Sequence, residues 1–291
     1  MHDSQAAAHG APTSRTRMPL SSAGRLPLLA ALLLASAATS AQGLVIGVTE
    51  GVTYRATDPE IEAKFAPIAD ALAKSLKQPV TIKVLSTYNT SRSAMQAQQV
   101  DLVFLHPAHL AFESTKAGRY KTVAWTAGYT DYKVSFLCKD AQPIANWKEF
   151  AGKSLVTPDP DSITSVITRA MLREQGLGEG NVKLSTTRYQ DAVPFYVQNG
   201  FTAYGATASA GVIKAWKGGG GKTCAESRPV PIKQWLASTK LDANTTAQVR
   251  ETLLELSSTD AGKKALAASG YSAFIAPSAE LEKTLTAWLG V

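Results

Sequence analysis

From residue 44 onward the chain alternates between two patterns of apolar positions. Short unbroken apolar runs predict strands buried on both faces, and longer stretches with apolar residues three or four apart predict amphipathic helices. Leu44-Val45-Ile46-Gly47-Val48 is the first such run. Residues 59–76 follow with apolar side chains at 61, 65, 68, 69, 72, 73 and 76, a helical period. Strands are predicted over 79–85 and 100–105, with a short helix over 92–98 between them. The order strand, helix, strand, helix, strand with short connections implies a parallel sheet flanked by helices, and the fold class is α/β.

A second series begins after Tyr129. Residues 133–139 alternate, with Val134, Phe136 and Cys138 on one face. Strands over 153–157, 182–186 and 202–206 are separated by a helix over 162–175, closed by Gly176, and another over 190–198 that ends at Asn199-Gly200. Two α/β units of comparable size are therefore expected. The tail reads as three helices, at 244–256, 261–268 and 279–289, packed back on one of the units.

The N-terminus carries a different signal. Arg25 precedes the apolar stretch Leu26 to Ala35, and small residues Ser36-Ala37-Ala38-Thr39-Ser40-Ala41 follow. Positive flank, short apolar core and small-residue exit are the parts of a secretory signal peptide, and ten apolar residues are too few to span a bilayer of ~30 Å. Residues 1–41 are read as the signal, with cleavage after Ala41, residues 1–17 as an upstream extension and Met18 as an alternative start. The product is expected to be soluble outside the cytoplasm. Its net charge is +7 overall, and beyond residue 41 it is +5, from 27 basic and 22 acidic residues. No basic run interleaved with aromatics appears, so a nucleic-acid partner is not expected. The cysteines are Cys138 and Cys224. They either pair or stay separate buried thiols, and an oxidising compartment favours the pair.

Candidate chemistry gathers where strands run into helices. Asp159-Pro160-Asp161-Ser162-Ile163-Thr164-Ser165 lies between a strand and a helix. Asp161 or Ser162 can cap that helix, and its free amides with the Ser162, Thr164 and Ser165 hydroxyls make a site for a phosphate-like or carboxylate group. The carboxyl end of a strand is where α/β sheets bind ligands. His106-Pro107-Ala108-His109 follows the third strand at the same sheet edge. Further zinc ligands are not evident nearby, so no metal is expected, and hydrogen bonding to a bound anion is the reading adopted. Tyr54 and the Ser86-Thr87-Tyr88-Asn89 loop occupy the two preceding strand-to-helix connections. Lys217-Gly218-Gly219-Gly220-Gly221-Lys222-Thr223 imitates a phosphate loop, but Trp216 stands where the motif needs glycine. Neither a serine-hydrolase elbow nor a dinucleotide glycine pattern occurs, so no cofactor and no enzymatic activity are expected.

These residues resemble the periplasmic phosphate-, phosphite- and phosphonate-binding proteins of ABC importers, a branch of the two-lobed type II solute receptors. The likeness spans residues 44–291 through short collinear pieces. They are Leu44-Val45-Ile46-Gly47-Val48-Thr49, Phe65-Ala66-Pro67-Ile68-Ala69-Asp70-Ala71-Leu72, the Val100 to Ala108 strand end, Gly128-Tyr129, Cys138-Lys139-Asp140 and Phe150-Ala151-Gly152-Lys153-Ser154. The resemblance implies two lobes, residues 44–130 with 232–291 and residues 131–231, each a mainly parallel sheet flanked by helices. Crossings near 130 and 231 would form the hinge. It implies a periplasmic solute-binding protein that captures a small phosphate- or phosphonate-like oxyanion for an ABC importer, as a monomer whose partners are the ligand and the importer's membrane subunits. A sensor or adaptor receptor for a small organic anion is the alternative, and an enzyme on the same scaffold a third. The family's Ser-Thr-Ser-Gly run reads Ser162-Ile163-Thr164-Ser165 here, so two hydroxyl positions survive. A family histidine is Gln190, ahead of Asp191-Ala192, and a family aspartate is Ala203. His106 replaces a glycine, and His109 an aromatic. Tyr129, Gln190 and Asp191 join the candidate ligand-binding residues on this basis.

Overall fold

A computed structural model describes residues 43–51, 56–139, 144, 146–178 and 180–291. The expected signal peptide, its expected cleavage point and Tyr54 lie outside the described residues. Among those described, the strands form two mixed sheets. The first has the order β11-β4-β10-β3-β1-β2, built from β1 (Leu44–Thr49), β2 (Val80–Val84), β3 (Leu102–Leu105), β4 (Tyr120–Thr126), β10 (Gln234–Ser238) and β11 (Phe274–Ile275). β1 is parallel to both β2 and β3, while β10 runs antiparallel between β3 and β4. The second has the order β7-β6-β8-β5-β9, built from β5 (Ser135–Cys138), β6 (Ser154–Thr157), β7 (Lys183–Thr186), β8 (Tyr204–Thr207) and β9 (Lys222–Glu226). β6 is parallel to β7 and β8, and β5 is antiparallel to β8 and β9. This is the two-lobed α/β architecture expected of the sequence, but the sheets are mixed rather than mainly parallel, because the strands following the two crossings, β10 and β5, insert antiparallel to their neighbours.

The helices form where periodicity and end chemistry agree. α1 (Asp58–Leu76) starts on a capping box, in which the Thr57 amide donates to Glu60 at 2.8 Å. It buries Ile61, Phe65, Ile68, Ala69 and Leu72 against the first sheet, where Phe65 packs on Phe104 with ring centres 4.7 Å apart. α2 (Tyr88–Gln96) is capped by Thr87, four residues earlier than its sequence period suggests, because the Thr87 and Thr90 hydroxyls satisfy the first-turn amides. α3 (Ala108–Lys116) starts after Pro107 with no side-chain cap. α4 (Ile163–Glu174) is capped by Ser162, whose hydroxyl accepts from the Ser165 amide at 3.2 Å. α5 (Val193–Gln198) follows a short 3-10 turn at Gln190–Ala192.

α6 (Ala210–Gly218) runs directly into the glycine-rich stretch, which leads into β9. The Trp216 indole donates to the Lys222 carbonyl at 2.8 Å. A helix before and a strand after is the reverse of a phosphate loop.

α7 (Ala243–Glu255) and α8 (Asp260–Ala268) pack on α1, whereas α9 (Ala279–Leu289) lies against both α3 and α4. Leu285 and Leu289 share an apolar cluster with Leu110, Phe112, Met171 and Leu172. Arg173 donates to the Trp288 carbonyl at 2.7 Å, and the Trp288 indole donates to Glu174 at 3.1 Å. The tail thus touches both lobes rather than one.

The chain crosses between the sheets twice. Tyr132 and Val230 pair as an antiparallel bridge, with the Val230 amide donating to Tyr132 at 3.0 Å and the Ile232 amide to Tyr129 at 2.9 Å.

Candidate functional site

The cleft between the lobes has two arms that meet at Glu50, Ala56, Glu60 and Ile61. The first, about 720 Å³, is lined by the ends of β1 and β2, the start of α2, and Asp159, Asp161, Arg188 and Tyr189. The second, about 590 Å³, is lined by Lys64, His106, Tyr129, Tyr132, Ala208, Ala210, Ile232 and Lys233. Most of these residues follow the carboxyl ends of the parallel strands β1, β2, β3, β6, β7 and β8. The topology therefore collects loops of both lobes at one place.

Gly51 permits the close approach behind the second arm. Its φ is +98°, and a Cβ there would lie 2.7 Å from His106 Cδ2. The His106 amide donates to the Thr49 carbonyl at 3.0 Å, fixing β3's exit beside β1's. Burial, followed by the nearby Lys233 ammonium, pushes the His106 imidazole down to about 3, so the ring is neutral at physiological pH.

A charged group fills the floor. Glu50 Oε2 accepts from Lys233 at 2.6 Å, and Oε1 accepts from Lys64 at 2.9 Å and from the Tyr271 hydroxyl. The Lys233 ammonium lies 4.7 Å from the Tyr129 ring centre and 5.2 Å from that of Tyr271. Burial alone would raise the Glu50 carboxyl. The Lys233 charge and the three donors outweigh it and hold Glu50 at about 2.

A second charged group joins the lobes. Arg92 on α2 donates to Asp161 at 2.8 and 3.1 Å through both terminal nitrogens, and its Nε donates to Glu113 at 3.1 Å. His109 Nε2 lies 3.7 Å from Asp161 Oδ1. His109 and Arg92 together hold the Asp161 carboxyl well below the usual carboxylate range. The Arg92–Asp161 pair is partly exposed and screened, so Arg92→Ala is expected to cost about 1 kcal/mol, about 3 °C in Tm. A double-mutant cycle with Asp161→Ala on thermal unfolding checks this. A coupling of zero would show that the strap adds nothing.

The structure sorts the sequence candidates as follows. Tyr88 lines the first arm, and His106 and Tyr129 line the second. His109 is buried behind Tyr88, with ring centres 6.4 Å apart. Ser162, Thr164 and Ser165 are buried at the start of α4. The Ser162 hydroxyl donates to Ser165 Oγ at 3.1 Å, the Ser165 hydroxyl donates to the Pro158 carbonyl at 3.2 Å, and Thr164 Oγ1 is 2.8 Å from the Tyr132 hydroxyl. Gln190 is buried, and its Oε1 accepts from the Thr207 hydroxyl and the Ala208 amide, both at 2.8 Å. It ties down the end of β8. Asp191 lines a different pocket, with Lys139, Trp216 and the glycine-rich stretch. The sequence reading passed over Glu50, Lys64, Arg92, Tyr132 and Lys233. Glu50 directly follows the first strand, which was a usable signal; the others reach the cleft only through the fold. Among the described residues, no three His, Cys, Asp or Glu side chains come together as metal ligands.

Residues 51–281 match the family described as the ABC transporter, phosphonate, periplasmic substrate-binding protein. The chain belongs to that family. The family consists of substrate-binding proteins of ABC transporters, so this is a solute-binding protein, and its family is periplasmic. No helix among the described residues is long and apolar enough to cross a membrane. Solved structures share the fold at low identity. XAC2383 from Xanthomonas citri, bound to ATP, is 15% identical, with 85% of this chain and 96% of that one covered and a TM-score of 0.71. PhnD1 from Prochlorococcus marinus, in complex with methylphosphonate, is 14% identical over 84% and 96%, at 0.64. A binding-protein component of an ABC phosphonate transporter from Pseudomonas aeruginosa is 12% identical over 84% of each chain, at 0.60. No curated protein matches the chain in sequence.

Proposed function

We propose that the cleft captures a small phosphate- or phosphonate-like oxyanion and delivers it to the membrane subunits of an ABC importer, after export directed by residues 1–41. The reading rests above all on the start of α4. Its capped first turn follows β6 at the inter-lobe cleft, and Thr164 meets that cleft through Tyr132, which lines the second arm. A helix start offers amide donors and the positive end of the dipole to an anion. Movement of Tyr132 would release the Thr164 hydroxyl to the ligand, while His106, Tyr88 and Tyr129 close from the other lobe by a hinge at the two crossings.

A thermal-shift screen against phosphate, phosphite and phosphonates, followed by calorimetry, tests this. Thr164→Ala is expected to weaken binding of the best oxyanion about tenfold, or ~1.4 kcal/mol. The contribution of His106 is expected to be constant from pH 5 to 8, because the ring stays neutral down to about 3. If no oxyanion raises the melting temperature, or if Thr164→Ala binds like wild type, the anchor lies elsewhere.

A further inference from the structure

The second arm ends on the Glu50 group, which the oxyanion reading above leaves without a role. Glu50 Oε1 is taken by Lys64 and Tyr271, and Oε2 by Lys233. Two ammonium groups share one carboxylate, so the floor carries a surplus positive charge. Both lysines line the arm, Lys233 nearly buried at 8% exposure and Lys64 with 31% of its side chain exposed. An ammonium has three donors, and Lys64 directs one at Glu50 while lying 4.8 Å from the Tyr271 ring centre. The other carboxylate on this arm, Glu60, is exposed at the rim, where its Oε2 accepts from the Thr57 amide and hydroxyl at 2.8 and 2.7 Å. Ala208, Ala210 and Ile232 supply apolar lining to the same arm.

A ligand ammonium in this arm would meet two like charges and a carboxylate already neutralised by them. A ligand carboxylate would gain charge-assisted hydrogen bonds in a partly desolvated place. The Tyr132 hydroxyl touches Thr164 while its ring packs edge-on to His106 with centres 6.1 Å apart, and the Lys233 amide donates to the His106 carbonyl at 3.4 Å. Tyr132, which lines the arm together with both lysines, thus reaches from that arm to the start of α4.

We propose that this arm is a carboxylate subsite, so that the solute is a two-headed anion with an oxyanion at the start of α4 and a carboxylate, one short carbon chain away, against Lys64 and Lys233. The proposal rests on the oxyanion reading of the cleft and narrows its ligand class.

Calorimetry with 3-phosphonopropionate, propylphosphonate and 2-aminoethylphosphonate tests it on wild type, Lys64→Met and Lys64→Arg. The first two probes differ in whether the chain ends in a carboxylate or a methyl group. 3-Phosphonopropionate is expected to bind wild type at least tenfold more tightly than propylphosphonate, and 2-aminoethylphosphonate no more tightly than propylphosphonate. Lys64→Met is expected to bring the ratio of the two affinities from tenfold to about one, and Lys64→Arg to retain most of it. Lys64 is partly exposed and Glu50 keeps Lys233 and Tyr271, so the variants should fold; a melting curve confirms this before binding is read. If propylphosphonate binds and the carboxylate adds nothing, or if its advantage survives Lys64→Met, the subsite is refuted and the oxyanion reading stands. If neither phosphonate binds, the oxyanion reading fails and the subsite falls with it.

Discussion

Glu50→Ala is expected to destabilise the protein by about 3 kcal/mol at pH 7, because it strands the nearly buried Lys233 ammonium without its carboxylate partner. Lys64, partly exposed, can turn outward. Lys233 cannot, since it is nearly buried and its backbone, at φ +58°, is fixed in the crossing segment beside His106. The pH dependence gives an independent readout. The ordinary value of 4.5 for Glu50 falls to about 2 in the folded protein. A carboxylate depressed on folding contributes stability that is fully present above its unfolded value and is lost as pH falls through the folded one. The contribution should therefore be about 3 kcal/mol above pH 5 and fade between about pH 4.5 and 2. Wild type and Glu50→Ala, compared by denaturant unfolding at pH 7, 4 and 2.5, should converge as pH falls. A constant gap would place the effect in lost packing rather than in charge.

The parts of this fold legible in sequence are those whose cause is local. α1 and α4 declare themselves through an apolar period joined to an end signal, Thr57 with Glu60 in one and Ser162 in the other. β1 and β3 are unbroken apolar runs because both faces are covered. β10 left no such mark. Its place is set by pairing with β3 and β4, elements more than a hundred residues earlier. α3 begins after a proline without a polar cap and so carried no recognisable beginning, whereas α6, with Ser209 as its cap and glycine at its end, carried usable signals that were passed over.

The site divides in the same way. His106 and Tyr88, which line the cleft, were legible because they follow strands, and α/β sheets bind ligands at strand ends whatever the sequence. Charge pairing was not legible. Arg92 meets Asp161 across 69 residues, and Lys233 meets Glu50 across 183. Nothing in the spacing of a lone lysine after Pro231-Ile232 announces that it will lie over two tyrosine rings. Family likeness gave collinear positions but not roles. Gln190 holds the end of β8, and Asp191 faces a separate pocket.

Removing the disulfide is expected to have the largest effect on stability and little effect on binding. Cys138 ends β5 and Cys224 lies in β9, its antiparallel neighbour. They are bonded with Cα atoms 6.1 Å apart, and both are buried. The bond closes a chain separation of 86 residues that contains β6, β7, β8 and the helices between them. Closing a loop of that length removes chain entropy from the unfolded state worth about 4–5 kcal/mol. The double variant Cys138→Ala with Cys224→Ala should therefore lose about 4 kcal/mol, about 10 °C or more in Tm. Wild type reduced under mild denaturation should fall to match it, while the variant should not respond to reductant. Ligand affinity should be unchanged at 25 °C. β5 runs antiparallel to β8, so its carboxyl end, where Cys138 sits, is at the sheet edge opposite the one where β6 and β8 deliver their loops to the cleft. The link anchors the edge strand β9 at the far side of the lobe. A variant that melts like wild type would show that β9 is held by its pairing alone. One that melts low and also binds poorly would show that strain at this edge passes through the sheet to the loops at Asp161 and Ala208.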